Sequence, residues 1–477
     1  MLQQQLENIL QSLPLLQVGA WLALLFVLLI LGSFWKKAHA YLPWAAMLGL
    51  GVGLSLLWNI PQEASTAMLG MLHNEASRFF HILPIASGIL ALWLGYWDRE
   101  RPWKPTATAL LVFMVLGAHL LLLSAHALPF YLSVEMLSIG AYILTAQSLK
   151  KHQVEAGIKY LIFGSVASAS MLYGISLLYG GAGSLYLRDL LCVQFTGDSA
   201  LLSNLGLLLM TGGLLFKLAA VPLHIWAPDV YQSVPSSVAA FFSTAPKAAG
   251  VVVLMRWAGW IPAEMDFWPK MMAFVAIASM LIGNVSAFWQ KSSKRLLAYS
   301  SIAHAGFMLV PVVSSTGQMG AHDLLLAFYL GVYVMMNYAA FASVQIIETQ
   351  NGDDLLTSFS GRGREFPLWG VLMLVTALSL VGLPVTAGFT AKMLVFSGLW
   401  ESYQQTMEGW HLALLIIGLA NTVLALFYYL KIPYFMFFKD EQTPDTPSIP
   451  PAVEFSLILI GGALLLFFFK PDWLWWA

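Results

Sequence analysis

Four lysines in this sequence, Lys159, Lys217, Lys247 and Lys392, stand inside long apolar runs. A charge at the centre of a bilayer costs about 2.5 kcal/mol or more, so each needs an explanation. One acid, Glu135, lies equally deep, in Ser133-Val134-Glu135-Met136-Leu137. Burial disfavours the charged form of an amine, and a nearby carboxylate favours it. A buried lysine–glutamate set can therefore take up and release protons, which is the chemistry of a proton or small-cation pathway. Lys217 and Lys159 are the expected partners of Glu135. The competing readings are a static ion pair that fixes helix packing and a lysine that snorkels to a helix end. Lys159, nearest to a helix start, is the most open to the second.

Prolines accompany three of the lysines. Lys217 stands in Leu214-Leu215-Phe216-Lys217-Leu218, with Pro222 just beyond. Proline has no N–H to give the carbonyl four residues back, so the helix is expected to break just after the lysine. Pro246 immediately precedes Lys247, and Lys392 follows the run Gly382-Leu383-Pro384 within the same segment. Breaks are predicted at Pro222, Pro246 and Pro384. Broken helices at membrane depth line cavities or are buried in protein. His224 and His304 are the polar residues placed to bridge the lysines, with simple packing as the rival role. His119 and His126 read as structural or interfacial. No group of His, Cys, Asp and Glu has metal-ligand spacing.

The elements that position these residues follow from composition. The chain has 477 residues, of which 59% are apolar and only 10% charged, with a net charge of -1. Soluble domains carry about 25% charged residues, so this chain cannot cover the surfaces of two or three such domains. The fold expected is all-α and polytopic, of about 14 membrane-crossing helices. The candidate spans run over 15–35, 41–60, 79–97, 106–127, 129–148, 156–180, 201–225, 235–258, 268–290, 293–314, 322–347, 367–400, 409–438 and 451–470. The twelfth is too long for one straight crossing. The stretch 61–78 reads as a loop with a surface helix, and 348–366 and 439–450 are the sizeable polar loops. Eighteen tryptophans, among them Trp473, Trp475 and Trp476, suit interface belts.

Orientation is tested with the basic residues. With the N-terminus outside, the inner loops carry Lys36, Lys37, Arg99, Arg101, Lys104, Lys150, Lys151, Lys291, Lys294, Arg295, Arg362, Arg364, Lys431 and Lys439. The outer side carries only Arg78, Arg188, Arg256, Lys270 and Lys470. The positive-inside rule places both termini outside. The acidic, polar start of the chain lacks a basic signal-peptide region, so the first apolar run is expected to be retained. The single cysteine, Cys192, excludes an internal disulfide and a cluster held by about four thiolates. No nucleotide fingerprint or Walker loop is found. No cofactor is expected in this chain, and no nucleic acid partner.

Two motifs carry a family resemblance: Val221-Pro222-Leu223-His224-Ile225-Trp226-Ala227-Pro228-Asp229-Val230-Tyr231-Gln232 and Ala245-Pro246-Lys247-Ala248-Ala249-Gly250. Glu155-Ala156-Gly157-Ile158-Lys159-Tyr160 and Lys294-Arg295-Leu296-Leu297-Ala298-Tyr299-Ser300-Ser301-Ile302-Ala303-His304-Ala305-Gly306 add to it. Together they resemble the N subunits of proton-pumping NADH–quinone oxidoreductase, respiratory complex I, over residues 100 to 440. The related L and M subunits and the D subunit of multisubunit cation/proton antiporters usually have a Leu-Pro-Asp-Ala version of the first motif. The chain departs from the family in Leu137-Ser138-Ile139-Gly140, which lacks a proline, and in Ser233, where glycine is usual.

The resemblance implies two inverted five-helix repeats. The expected division is 1–103 as an N-terminal three-helix region, 104–260 and 261–440 as the repeats, and 441–477 as the last helix. It puts Glu135, Lys159, Lys217, Lys247 and Lys392 on a central polar axis, with His224 and His304 at matching positions. The chain ends soon after the fourteenth span, without room for the lateral helix of subunit L. The resemblance implies that NADH (or ferredoxin), flavin, iron–sulfur clusters and quinone are handled by partner subunits, beside lipids and protons. A bacterial plasma membrane is the expected location, with a photosynthetic membrane the other. The rivals are a sodium or potassium/proton antiporter subunit and a non-conducting scaffold. A scaffold has little reason to keep costly buried lysines.

Overall fold

The long apolar runs, free of glycine–proline breaks over most of their length, fold as helices that satisfy their own backbone groups. The computed structural model describes residues 2–59, 75–98, 103–148, 150–193, 200–262, 265–317, 320, 322–439 and 449–474. In chain order the helices are α1 (Leu2–Ser33), α2 (Leu42–Trp58), α3 (Glu75–Tyr96), α4 (Pro105–Leu123), α5 (Ala127–Ala146), α6 (Lys151–Ala182), α7 (Leu187–Leu191), α8 (Ala200–Leu218), α9 (Trp226–Ser233) and α10 (Ser236–Trp260). They continue as α11 (Phe267–Ala287), α12 (Ser293–Ser314), α13 (Asp323–Asn351), α14 (Arg362–Glu365), α15 (Pro367–Val381), α16 (Ala387–Thr406), α17 (Gly409–Tyr429), α18 (Lys431–Phe438) and α19 (Pro451–Phe469). Among the described residues, 12 helical segments are long and apolar enough to cross a membrane, and α2 and α15 are shorter apolar helices. No strand occurs among them; the only extended pairings are the bridges His126–Tyr186 and Ser292–Leu355.

Three sequence expectations change or fall outside this description. The first helix begins at Leu2, before the apolar run. Most of the 61–78 stretch, the greater part of 439–450, and Arg99, Arg101, Trp475 and Trp476 lie outside the described residues. The over-long twelfth span divides into α15 and α16, as its length required.

Burial orders the bundle. Helices α10, α12 and α13 are enclosed on nearly all sides, whereas α19 presents most of its surface outward. α10 packs against α3, α4, α8, α12 and α13, and so joins the N-terminal helices to the rest. Around this centre α4 pairs with α5, α6 with α8, and α11 with α12. The outward faces of α5 and α6 are rows of exposed apolar side chains such as Leu132, Ile139, Ile162 and Val166. One broken crossing is α8–α9 and the other is α15–α16. They stand five crossings apart, so the chain passes through them in opposite directions, as inverted five-helix units require.

Candidate functional site

Both breaks are built by the same backbone device. α8 ends in Ala219 at φ 53, and α15 ends in Gly382 at φ 86. The next N–H in each case reaches back to the carbonyl five residues earlier, Ala220 to Leu215 at 2.9 Å and Leu383 to Leu378 at 3.0 Å. A left-handed residue with this bond is a Schellman stop, and a proline shortly beyond it prevents the helix from resuming. Pro222 and Pro384 occupy those places.

Pro246 has no such stop beside it, and the predicted break there is corrected: α10 runs unbroken through it. Proline alone removes one donor, and tightly packed neighbours hold the helix together. Pro84 in α3 and Pro311 in α12 are tolerated in the same way.

A helix C-terminus carries the negative end of the macrodipole and carbonyls without intrahelical partners. The two break lysines sit at such ends. Lys217 is in the last turn of α8. The amine of Lys392, from α16, donates to the carbonyls of Val381 (2.6 Å) and Leu380 (3.2 Å) at the end of α15. It also stands 4.5 Å from the centre of the Phe307 ring. The Lys217 amine makes no hydrogen bond and is held by rings instead. It lies 5.7 Å from the centroid of Tyr142, 5.6 Å from Tyr160 and 5.8 Å from Phe216. Trp226 closes this corner, stacked on Tyr160 at 4.1 Å and donating from its indole to the Phe216 carbonyl at 3.2 Å.

Between the breaks lies a polar seam. Lys247 is fully buried, and its amine donates to the Ser301 carbonyl at 2.9 Å. The Ser301 hydroxyl bonds the Tyr333 hydroxyl at 2.9 Å. One turn on, His304 joins Tyr329 through Nδ1 at 2.6 Å and Tyr429 through Nε2 at 3.1 Å. Tyr429 also bonds Ser300. Beyond it the Tyr428 hydroxyl donates to Asn284 (3.0 Å), whose amide reaches Asn421 at 2.9 Å. His304 is in electrostatic contact with both Lys247 and Lys392. The seam thus strings hydroxyls and an imidazole, groups able to give and accept a proton, between the buried amines of Lys247 and Lys392.

Glu135 is half-buried on α5 and hydrogen-bonded by Tyr131. It acts on Lys217 electrostatically without forming an ion pair, since its Oε1 and the Lys217 amine both lack hydrogen-bond partners. Lys159 requires correction. Its side chain is 45% exposed and is paired with Glu155 at 2.9 Å and Asp229 at 3.2 Å. It is a rim residue, neither a buried amine nor the partner of Glu135. His224 lies on the unwound segment after α8; its Nδ1 has no partner, and no hydrogen bond ties it to the seam. His119 is buried against His81, Nδ1 to Nδ1 at 3.1 Å, and its Nε2 donates to the Leu15 carbonyl, a packing role.

The residues that sequence reading missed are hydroxyls and amides: Tyr231, Tyr329, Tyr333, Tyr429, Ser300, Ser301 and Asn284. Tyr329 and Tyr333 are four apart on α13, and Ser300, Ser301 and His304 share α12. Polar residues at helical spacing within apolar spans were the signal.

The profile of the family described as NADH:quinone oxidoreductase/Mrp antiporter, transmembrane, matches residues 124–420. NADH-quinone oxidoreductase subunit N of Trichlorobacter lovleyi is 32% identical over 442 residues, covering 90% of this chain and 88% of that relative. The same-named subunit of Chlorobium chlorochromatii is 35% identical, with 94% and 89% covered. Among solved structures, a chain of respiratory complex I from Thermus thermophilus with bound aureothin superposes with a TM-score of 0.81 at 32% identity, covering 96% of this chain and 99% of that one. A chain of the Mrp complex from Dietzia shares the fold, with a TM-score of 0.76 at 19% identity over 100% of this chain and 96% of that one.

Proposed function

The chain belongs to the NADH:quinone oxidoreductase/Mrp antiporter transmembrane family, and we propose that it carries protons across the membrane along its buried amines. In this reading it is the N-type subunit of a quinone-reducing complex. Its own residues perform no redox step. Flavin, iron–sulfur clusters, NADH and quinone are bound by partner subunits, and this chain answers to them. The observation that supports the reading best is the pair of lysines at the C-terminal ends of two oppositely directed broken helices, together with a buried seam of Lys247, Ser301 and His304 that is in electrostatic contact with Lys392.

The proposed cycle starts at Glu135. When its interaction with Lys217 weakens, the Lys217 amine loses support for its proton. The proton moves to Lys247 and through the His304 hydroxyl cluster to Lys392, from which it leaves. Residues 104–260 and 261–440 serve as the two repeats of this path. Both termini lie on the outer side of a bacterial plasma membrane.

Lys217→Ala and Glu135→Ala, each in the assembled complex, test the reading. Both are expected to lower quinone reduction and the proton-to-electron ratio measured in membrane vesicles. A wild-type ratio in both variants refutes it. Affinity purification through this chain separates the family's two branches. Flavin, iron–sulfur absorbance and quinone-reductase activity mark the respiratory complex; a colourless assembly with sodium-dependent proton exchange marks an antiporter.

A further inference from the structure

A polar cavity of about 580 Å³ opens where α6, α9, α12 and α13 meet, on the side where the basic residues gather. Its rim includes the exposed pair Glu155 and Lys159, so it reaches the surface. Asp229 and Asp354 line its wall. Lys294 and Glu348 also line it, and they form a second buried ion pair, 2.6 Å apart, with the lysine side chain 3% and the glutamate 7% exposed. Every polar atom of this pair is engaged. The Lys294 amine also donates to the Val234 carbonyl at 2.9 Å, and Ser236 donates to the second carboxylate oxygen of Glu348 at 2.5 Å.

Two elements lead inward from this floor to the seam. On α12, Ser301 stands seven residues beyond Lys294, two turns or about 10.5 Å along the helix, and its carbonyl holds the Lys247 amine. On α10, Lys247 is eleven residues beyond Ser236, about 16 Å. The hydroxyl of Tyr231 lies beside Ser301, fully buried and without a hydrogen bond of normal geometry. A buried hydroxyl beside the serine that holds Lys247 is a stepping stone between floor and seam.

We propose that the Lys294–Glu348 pair is an entry gate that feeds the proton path at Lys247, beside the Glu135–Lys217 limb, and that the cavity above it is its aqueous vestibule. This rests on the proton-carrying reading given above. Water in the vestibule delivers a proton to a Glu348 oxygen, and the neutral carboxyl releases Lys294. The carboxyl O–H then breaks as the proton passes inward by way of the side-chain hydroxyls of Tyr231 and Ser301, each taking one proton and releasing its own. An N–H bond forms on the neutral amine of Lys247. The carboxylate left behind pairs again with Lys294 and resets the gate. Lys294 is a positioning residue, and Glu348 is the group that carries the proton.

A purely architectural ion pair is the alternative, and charge removal separates the two. A buried pair replaced on both sides by neutral residues of similar volume commonly keeps or gains stability, whereas removal of one partner leaves an uncompensated charge. Glu348→Gln, Glu348→Asp and the double variant Lys294→Met/Glu348→Gln are compared in the intact complex in inverted vesicles. As a gate, Glu348→Gln and the double variant both slow coupled quinone reduction by about 100-fold, the lower end of what one positioned proton-transfer group contributes. Glu348→Asp retains activity. Wild-type pumping by the double variant overturns the gate. A measurement free of any folding question accompanies these. Glu155→Cys, in a Cys192→Ser background, is labelled from the vestibule side with a bulky membrane-impermeant maleimide. Proton uptake is expected to fall as labelling proceeds, and undiminished uptake at full labelling also overturns the gate. Lys247→Ala in parallel reports on the underlying reading: if that variant pumps normally the lysine path itself fails, whatever the gate variants do.

Discussion

A single methyl group at Gly382 should uncouple Lys392 from the broken helix. Gly382 has φ +86, and a Cβ built there falls 2.8 Å from Lys392 Cδ and 3.4 Å from Cε. The lysine stem cannot simply swing aside, because its amine beyond is fixed by two carbonyls at 2.6 and 3.2 Å. Gly352 provides the control. It has φ +76, and a Cβ there meets nothing within 4 Å. Each alanine accepts the left-handed conformation at about 1–2 kcal/mol. Only Gly382→Ala also dislodges the amine, and a hydrogen bond from a charged group contributes about 1.5–3 kcal/mol. The difference expected between the two variants is therefore about 1.5–3 kcal/mol, which is one such bond. It is read from thermal unfolding of the purified complex, with the proton-to-electron ratio measured in vesicles alongside. Gly382→Ala should lower the ratio toward that of Lys392→Ala, and Gly352→Ala should keep it. If the two alanine variants melt and pump alike, the contact with Lys392 has no consequence and the reasoning fails.

Other expectations bear on the seam and its rim. His304→Phe takes the Nδ1 partner from the Tyr329 hydroxyl, at about 1–3 kcal/mol for a buried group left unsatisfied, while Tyr429 keeps Ser300. A drop in pumping with His304→Gln, set beside a milder one with Tyr429→Phe, marks the histidine as a carrier; unchanged pumping in His304→Gln leaves it a packing residue. Lys159→Ala should change stability by no more than about 1 kcal/mol, as for any exposed pair, and leave assembly intact in native gels. Burial alone would raise the Asp229 carboxyl, but Arg295 and Lys159 outweigh it and hold it below the usual carboxylate range. Its stabilising contribution is full above the unfolded carboxylate value of about 3.9 and is lost as the pH falls through the lower folded value. Melting curves of Asp229→Asn should show less of that acid-side loss than the wild type.

The spans were readable because crossing a bilayer demands length and apolarity together. The lysines within them stood out because their cost is high. What one strand of sequence could not reveal is which neighbours a side chain meets. Lys159 looked buried because hydropathy averages over a helix and ignores its faces. Glu155, four residues before it, was the local sign of an exposed pair, but Asp229 is 70 residues away. The reverse holds for Lys294. Its place at the edge of a polar loop gives no sign of burial, yet it is buried because Glu348, 54 residues on, meets it. Proline was likewise an incomplete signal. Pro222 and Pro384 follow residues with positive φ and mark true stops, whereas Pro246 has no such residue beside it. Of the two stops, only Gly382 advertises its backbone in the sequence; Ala219 does not.

The placement of the amines explains why lysine is the residue used. A charge at mid-membrane costs about 2.5 kcal/mol or more. A helix C-terminus returns up to about 2 kcal/mol to a partly buried cation, and a desolvated aromatic face about as much. Lys217 has a helix end and three rings; Lys392 has a helix end and one ring. At both sites the support is at least of the order of the lower bound of that penalty. An amine so balanced changes its protonation for a small change in its surroundings, which a shift of Glu135 or of a helix end can supply. An arginine at either position would stay charged throughout, so Lys217→Arg and Lys392→Arg should assemble and yet not pump. Normal pumping by either arginine variant would mean that the charge at that position stays fixed and the proton passes elsewhere.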